Sequence, residues 1–568
     1  MRAWTLFSAL SVAVGVAAAV TPTEASACGG TFCDAGPSSM PVDQSGENIL
    51  FVMDGRTVEA HVQIQYQGDP DQFAWIVPVM ALPEIEAGSA ALFQNMLDAT
   101  VPTFVTNPVF ESCGPDDNDM ALGCDADSVA SADGSLSGDT DGFGGEPDFD
   151  PEVVASGVAG AFEYSVLEGG TVDGVVAWLD ENGYAQDDEA PAELQAYLDK
   201  GFLFVAFKLR GGTGVDEIHP VVIRYEGDEP CVPIRLTRIA ATDDMGVRAF
   251  FLGEARVAPT NYRSVEINLA AIDWNTLGSN YESVVTRAVD WDEQGHGFVT
   301  EYAGNSGVVE SDGLFDSRWQ SQIFREADPD EAIAELDLQG LLACEGNSCM
   351  PAHPLIEGLL GRFLPRPVGV TFEAYYGCVS CYEDADLESW DPSAFADELH
   401  ARIIAPGQHA LELLESHDYL TRLYTTLSPQ EMTLDPIFHV NPDLPVVSNV
   451  HTVDLVFPCE GPNYVEFEDG SRLALSGSVD PDQPAALRLE DVPEQGPPMM
   501  LLDLSADIVA ARADWNDAQG LQAGGGEEGC NCRARKSGAS GVVWAVFMVG
   551  MGLWGRRRRW RRATPRSR

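Results

Sequence analysis

Near the C-terminus, 19 consecutive residues from Ser537 to Gly555 carry no charge, and Arg556 to Arg559, Trp560, Arg561 and Arg562 follow directly. As a helix this run is about 28 Å long, enough to cross a bilayer, and the arginines behind it would stay on the cytoplasmic side. The pattern predicts one transmembrane helix over 537–555 inside a C-terminal sorting region, 530–568, and leaves the preceding chain on the outer side.

The opposite end points the same way. Arg2 precedes an apolar run from Leu6 to Val20, and Ala25-Ser26-Ala27 is the small-x-small pattern of a signal-peptidase site. Residues 1–27 are expected to be a signal peptide, cleaved after Ala27 so that Cys28 begins the mature chain. Acylation of Cys28 is the alternative. It is disfavoured because position 25 is alanine rather than leucine, and because seven residues separate Cys28 from the apolar run.

Between these ends the chain is strongly acidic. Cys28 to Gly529 holds 20 basic against 89 acidic residues, a net of −69, and Thr57 to Asp199 has no lysine or arginine. Such a surface repels nucleic acid and anionic lipid, which excludes both as partners. Only Lys200, Lys208 and Lys536 are lysines. Acid excess with few lysines fits a hydrated exterior more simply than a dedicated cation site.

In an oxidising compartment the cysteines are expected to be disulfide-bonded. The candidates are Cys28, Cys33, Cys113, Cys124, Cys231, Cys344, Cys349, Cys378, Cys381 and Cys459. Proximity in sequence pairs Cys28 with Cys33, Cys113 with Cys124, Cys344 with Cys349 and Cys378 with Cys381, leaving Cys231 and Cys459; sequence does not determine connectivity. The sharper alternatives are a four-thiolate zinc site from Cys344, Cys349, Cys378 and Cys381, or a redox pair at Cys378 and Cys381. Disulfides are favoured.

The first folded part, 28–110, reads as β-rich. Asn48 to Met53, a turn at Asp54-Gly55 and Arg56 to Tyr66 form a hairpin. In its second strand Val58, Ala60, Val62 and Ile64 alternate with Glu59, His61, Gln63 and Gln65, so one face is expected buried and one wet. His61 on the polar face reads as a surface histidine. A third strand runs from Gln72 to Val79, and Pro78 marks its end or a sheet edge. A short helix is expected near Ala90 to Ala99.

Residues 111–152 carry 13 acids and no base among Gly and Ser, too little apolar surface to order alone, and read as an insertion or linker. Asp125-x-Asp127 and Asp139-x-Asp141-Gly142 resemble parts of calcium loops without the EF-hand spacing or its closing Glu. No cofactor is therefore expected, with calcium as the alternative.

Residues 153–514 mix both periodicities. Helices are expected over Thr171–Asn182, Ala192–Lys200, Asp328–Ala343, Leu355–Phe363, Ser393–Ile404 and His409–Glu415. Strands are expected over Phe202–Leu209, Pro220–Tyr225, Ile234–Ala240, Arg248–Leu252 and Ser264–Leu269, with a hairpin from Tyr464 to Ala474. Ser428-Pro429-Gln430-Glu431 has the form of a helix-starting capping box. Strands in runs and helices in runs predict an α+β fold, followed by a flexible spacer at 515–529.

Chemical motifs are mostly missing. There is no G-x-S-x-G elbow, no H-E-x-x-H helix and no Walker A lysine. His400, His409 and His417 cluster in sequence, but Pro406 is expected to interrupt the helix that would align them. No catalytic, cofactor-binding or metal-ligating residue nominates itself.

Two resemblances add to this. Ala27-Cys28-Gly29-Gly30-Thr31-Phe32-Cys33, Ile49-Leu50-Phe51-Val52 and Phe73-Ala74-Trp75-Ile76-Val77-Pro78-Val79 resemble an uncharacterised bacterial family, domain of unknown function 2330. The likeness covers about 28–449, including Trp178 to Tyr184 and Tyr419 to Phe438, and implies a class without an activity. The tail, with Gly529-Cys530, an apolar segment and arginines, is similar to the MYXO-CTERM type of myxobacterial sorting signal, and departs from it in its long Arg-rich end. That likeness implies processing at Cys530 by a dedicated membrane protease and display at the cell surface.

The expectation is an exported, disulfide-bonded α+β protein, anchored at the cell surface or outer membrane through the C-terminal helix or at Cys530. It meets the export machinery, signal peptidase and a sorting protease, and serves a structural or binding role rather than a catalytic one. The alternatives are a surface hydrolase and a calcium-dependent adhesion module.

Overall fold

The computed structural model describes residues 46–63, 74–112, 150–184, 190–211, 217–227, 230–239, 241–291, 294–382, 387, 389–477 and 479–521. The signal segment, the pairings Cys28–Cys33 and Cys113–Cys124, the calcium-like loops, Cys530 and the 537–555 span lie outside the described residues. Among the described residues no helix is long and apolar enough to cross a membrane.

The expected hairpin forms: β1 (Gly46–Asp54) and β2 (Thr57–Gln63) pair antiparallel around Gly55, whose φ of +63° suits glycine. They sit inside a ten-stranded mixed sheet. Its order is Met499–Asp503, Ala486–Asp491, Arg263–Ile267, Gly297–Asn305, Tyr419–Leu427, Met245–Gly253, β1, β2, Val221–Glu226, Glu84–Ala87. Strands from parts 28–110 and 153–514 thus share one sheet: β1 runs parallel to Met245–Gly253 and β2 antiparallel to Val221–Glu226.

Both faces of this sheet are covered. On one, Ile49, Phe51, Val58 and Ala60 meet Trp75, Val77, Phe162 and Phe207 of a four-stranded antiparallel sheet. Ala74–Val79 is an edge strand there, where Pro78 leaves no central ladder broken. On the other face, Leu50, Val52, Phe250 and Leu252 pack against Leu92, Phe93 and Met96 of helix Ala90–Thr100 and against Ala410 and Leu413 of helix Ala405–Ser416. Each large apolar side chain so buried stabilises the fold by about 1.5–3 kcal/mol. The wet face expected for β2 is therefore a buried one: His61 is 1% exposed, because helices cover what periodicity alone assigned to solvent.

A helical lobe with its own core, including Phe324, Leu359, Tyr375, Phe395 and Ile403, carries the two cysteine pairs at disulfide distance, Cys344–Cys349 and Cys378–Cys381. Sulfurs paired in this way supply no four-thiolate zinc site. The remaining pairing is corrected: Cys459 is disulfide-bonded, but its partner is not Cys231, whose backbone bridges Ile437.

Other local expectations change under tertiary contacts. Ile234–Thr237 is a short helix rather than a strand, held where Asp435 accepts the Arg235 N–H at 3.1 Å. Ser428 to Glu431 makes a single turn, with Ser428 N–H donating to Glu431 at 2.7 Å, and no helix follows. Residues 515–519 of the expected spacer belong to helix Ser505–Gln519, where Trp515 Nε1 donates to the Ala474 carbonyl at 2.9 Å.

Burial also sets one pH dependence. Glu47 on β1 is buried, and desolvation pushes its carboxyl up to about 7, the Thr237 hydroxyl opposing only in part. The folded chain then binds a proton that the unfolded chain has released, so stability falls as pH rises from the usual carboxylate range through about 7. The loss above that window is up to about 3 kcal/mol. Glu47→Gln is expected to raise the Tm at about pH 8 and to change it little at about pH 4, read by thermal denaturation at matched ionic strength.

Candidate functional site

The helix-covered face gathers an ionisable cluster. Glu59 and His61 are two apart on β2, so both side chains stand on one face. Strand register sets Arg224 opposite Glu59, and the edge strand brings Glu86 beside it. The fifth member, His409, comes from above on the covering helix.

That helix is continuous with the one before it. Asp391 caps Pro392–Leu399, accepting the Ala394 N–H at 3.0 Å; a π-helical turn spans His400–Ile404, and Ala405–Ser416 continues. Pro406 was expected to break this segment. The wider turn instead accommodates its missing N–H and its ring, as π-bulges do. His400, His409 and His417 still do not converge: His400 is exposed, and His417 Nδ1 lies 3.0 Å from the Leu413 carbonyl. Only His409 reaches the sheet.

Glu59 divides its oxygens. Oε1 lies 2.6 Å from His61 Nε2 and 2.5 Å from His409 Nε2, while Oε2 accepts from Arg224 Nε at 2.6 Å. Arg224 also pairs with Glu86 and places Nη2 2.9 Å from His409 Nε2. The imidazole rings are nearly parallel, with centroids 5.9 Å apart. Burial alone would raise the Glu59 carboxyl, but hydrogen bonds from His409, His61 and Arg224 outweigh it and hold the group far below the usual carboxylate range. Burial pulls His61 below its ordinary value.

Chemically, the cluster offers one carboxylate oxygen and two imidazole nitrogens within 4.8 Å of one another, a set able to ligate a metal ion. It lacks the arrangement for nucleophilic catalysis: among the described residues neither imidazole is hydrogen-bonded to a serine, threonine or cysteine. Other buried ionic groups are structural. Arg402, 2% exposed, pairs with Glu217 and, at 2.6 Å, with Glu398, which also accepts from Arg210 at 2.6 Å. His219 accepts the Ala161 N–H at 2.9 Å and is thereby committed to the fold. Away from the cluster, a polar cavity of about 600 Å³ is bordered by Glu266, Asn268, His451, Ser471, Arg488 and Arg512.

Sequence reasoning missed this site. The i, i+2 spacing of Glu59 and His61 was visible, but nothing local to His409 tied it to a strand 350 positions earlier.

No curated protein and no solved structure matches the chain. A family model does match, over residues 22–341; it takes in Glu59, His61, Glu86 and Arg224 and stops short of His409. The chain belongs to this family, described as uncharacterized protein conserved in bacteria, DUF2330.

Proposed function

We propose that this is an exported protein displayed at the cell surface, where it serves a structural or binding role in the envelope. The observation that carries the reading is the two cysteine pairs at disulfide distance in the helical lobe, since such bonds persist in oxidising compartments. The acidic body and the terminal patterns, with cleavage after Ala27 and processing at Cys530, support the same route. A binding role rather than catalysis is favoured because the histidine and carboxylate groups best placed for proton transfer meet between a helix and the sheet and are engaged with one another.

The test is fractionation of cells producing the full chain, with intact-mass and terminal sequencing of the recovered protein under non-reducing conditions. The expected product begins at Cys28, ends near Cys530, retains its disulfides and is clipped when protease is added to whole cells. Full-length chain with reduced cysteines in the soluble interior would overturn the reading.

A further inference from the structure

The hydrogen bonds around His409 cannot all be satisfied. Its Nε2 faces a carboxylate oxygen of Glu59 at 2.5 Å, which needs a donor, and an Arg224 N–H at 2.9 Å, which needs an acceptor. Either tautomer leaves one of the two contacts opposed. His61 adds a second mismatch, because its Nδ1 is buried and no partner reaches it among the described residues. A network of this kind, half satisfied and largely withdrawn from solvent, is unfavourable as a purely structural device.

We propose that Glu59 Oε1, His61 Nε2 and His409 Nε2 bind one divalent transition-metal ion of the zinc class. Two imidazoles and one carboxylate are a ligand set for such an ion, with a fourth position left to water or an incoming group. In this arrangement each imidazole presents a lone pair to the ion, so His409 Nε2 no longer has to donate to Glu59, and the Arg224 N–H that faced it gives up that contact for its carboxylate partners. Zinc–nitrogen distances of about 2.0–2.1 Å call for ligand atoms about 3.3 Å apart, so the two contacts of Glu59 Oε1, at 2.6 and 2.5 Å, open by less than about 1 Å each. Arg224 does not have to leave: Glu86 and the other oxygen of Glu59 hold it, and Glu59 then bridges the guanidinium and the metal. The ion would fasten helix Ala405–Ser416 to the sheet, joining a segment outside the family-matched region to one inside it.

The test is calorimetric titration of the chelator-treated full-length protein with Zn2+ in excess calcium, which occupies the acidic surface. One zinc per chain is expected, with cobalt substitution giving the visible absorption of a nitrogen–oxygen site. His409→Ala, a partly exposed position, should weaken binding about 100-fold or more, and His61→Gln should do the same. Arg224→Gln is expected to bind zinc at least as tightly as the parent, since it removes a competing cation. The proposal is overturned if no stoichiometric zinc binds in calcium, or if folded His409→Ala binds as the parent does. It is equally overturned if Arg224→Gln loses zinc while remaining folded, which would mark the cluster as an ion-pair clasp alone.

Discussion

Replacing Glu301 with alanine is expected to lower the unfolding free energy by about 3–5 kcal/mol. Glu301 and Arg422 are each 3% exposed and lie on neighbouring strands, Gly297–Asn305 and Tyr419–Leu427, near the middle of the large sheet. The carboxylate pairs with Arg422 Nε and accepts the Tyr281 hydroxyl at 2.8 Å. Arg422 in turn donates to Thr100 Oγ1 at 3.2 Å and lies over the Phe250 ring. Removing the carboxylate strands a guanidinium that has no route to water, and that uncompensated charge is the source of the large effect. The same logic makes the double variant Glu301→Leu with Arg422→Met much less harmful than either single change, because both charges leave together. Urea unfolding of the four proteins, taken as a double-mutant cycle, checks this. A Glu301→Ala protein less than about 1 kcal/mol weaker than the parent would show that the pair is not desolvated as described.

Gly407→Ala should destabilise by about 2–4 kcal/mol and weaken zinc binding as well. A Cβ at this position would lie 1.8 Å from the Leu314 carbonyl oxygen. That atom is backbone, so relief requires the helix to move away from the chain at Leu314, carrying His409 from the sheet. Gly361 provides the contrast: it also lies in a helix, Ile356–Phe363, but a Cβ there meets nothing within 4 Å. Gly361→Ala is expected to stabilise by up to about 1 kcal/mol through backbone entropy alone. Denaturant midpoints for the two variants, with a zinc titration of the first, separate a close-approach effect from a general penalty for alanine. Equal behaviour of the two would refute it.

The two predictions concern contacts that differ in how far they could be read in the chain. Helix caps and turns are local, which is why Thr171, with its hydroxyl accepting the Gly174 N–H at 3.1 Å, and Asp469-Gly470 between strands Tyr464–Glu466 and Arg472–Ala474 stand where the sequence places them. Pairing of cysteines five and three residues apart is local as well. His61 is the opposite case. Alternation identifies which residues share a face of β2, but not whether a second layer will cover that face, since the covering helix is encoded some 350 positions away. Pro406 shows the same limit: its usual effect on a helix is real, yet a π-helical turn and packing against the sheet keep the segment helical.

From the sequence alone follow the β-rich start, most helix and strand positions, the acidic character and the cysteine pairs Cys344–Cys349 and Cys378–Cys381. These rest on periodicity, capping, composition and proximity, all of which act over a few residues. The tertiary structure alone decided that the hairpin is buried on both faces, that Cys231 and Cys459 are not joined, and that Glu59, His61, Arg224 and His409 meet. Such contacts depend on which distant surfaces pack together, and that choice is made by the whole core, with no trace in any one segment.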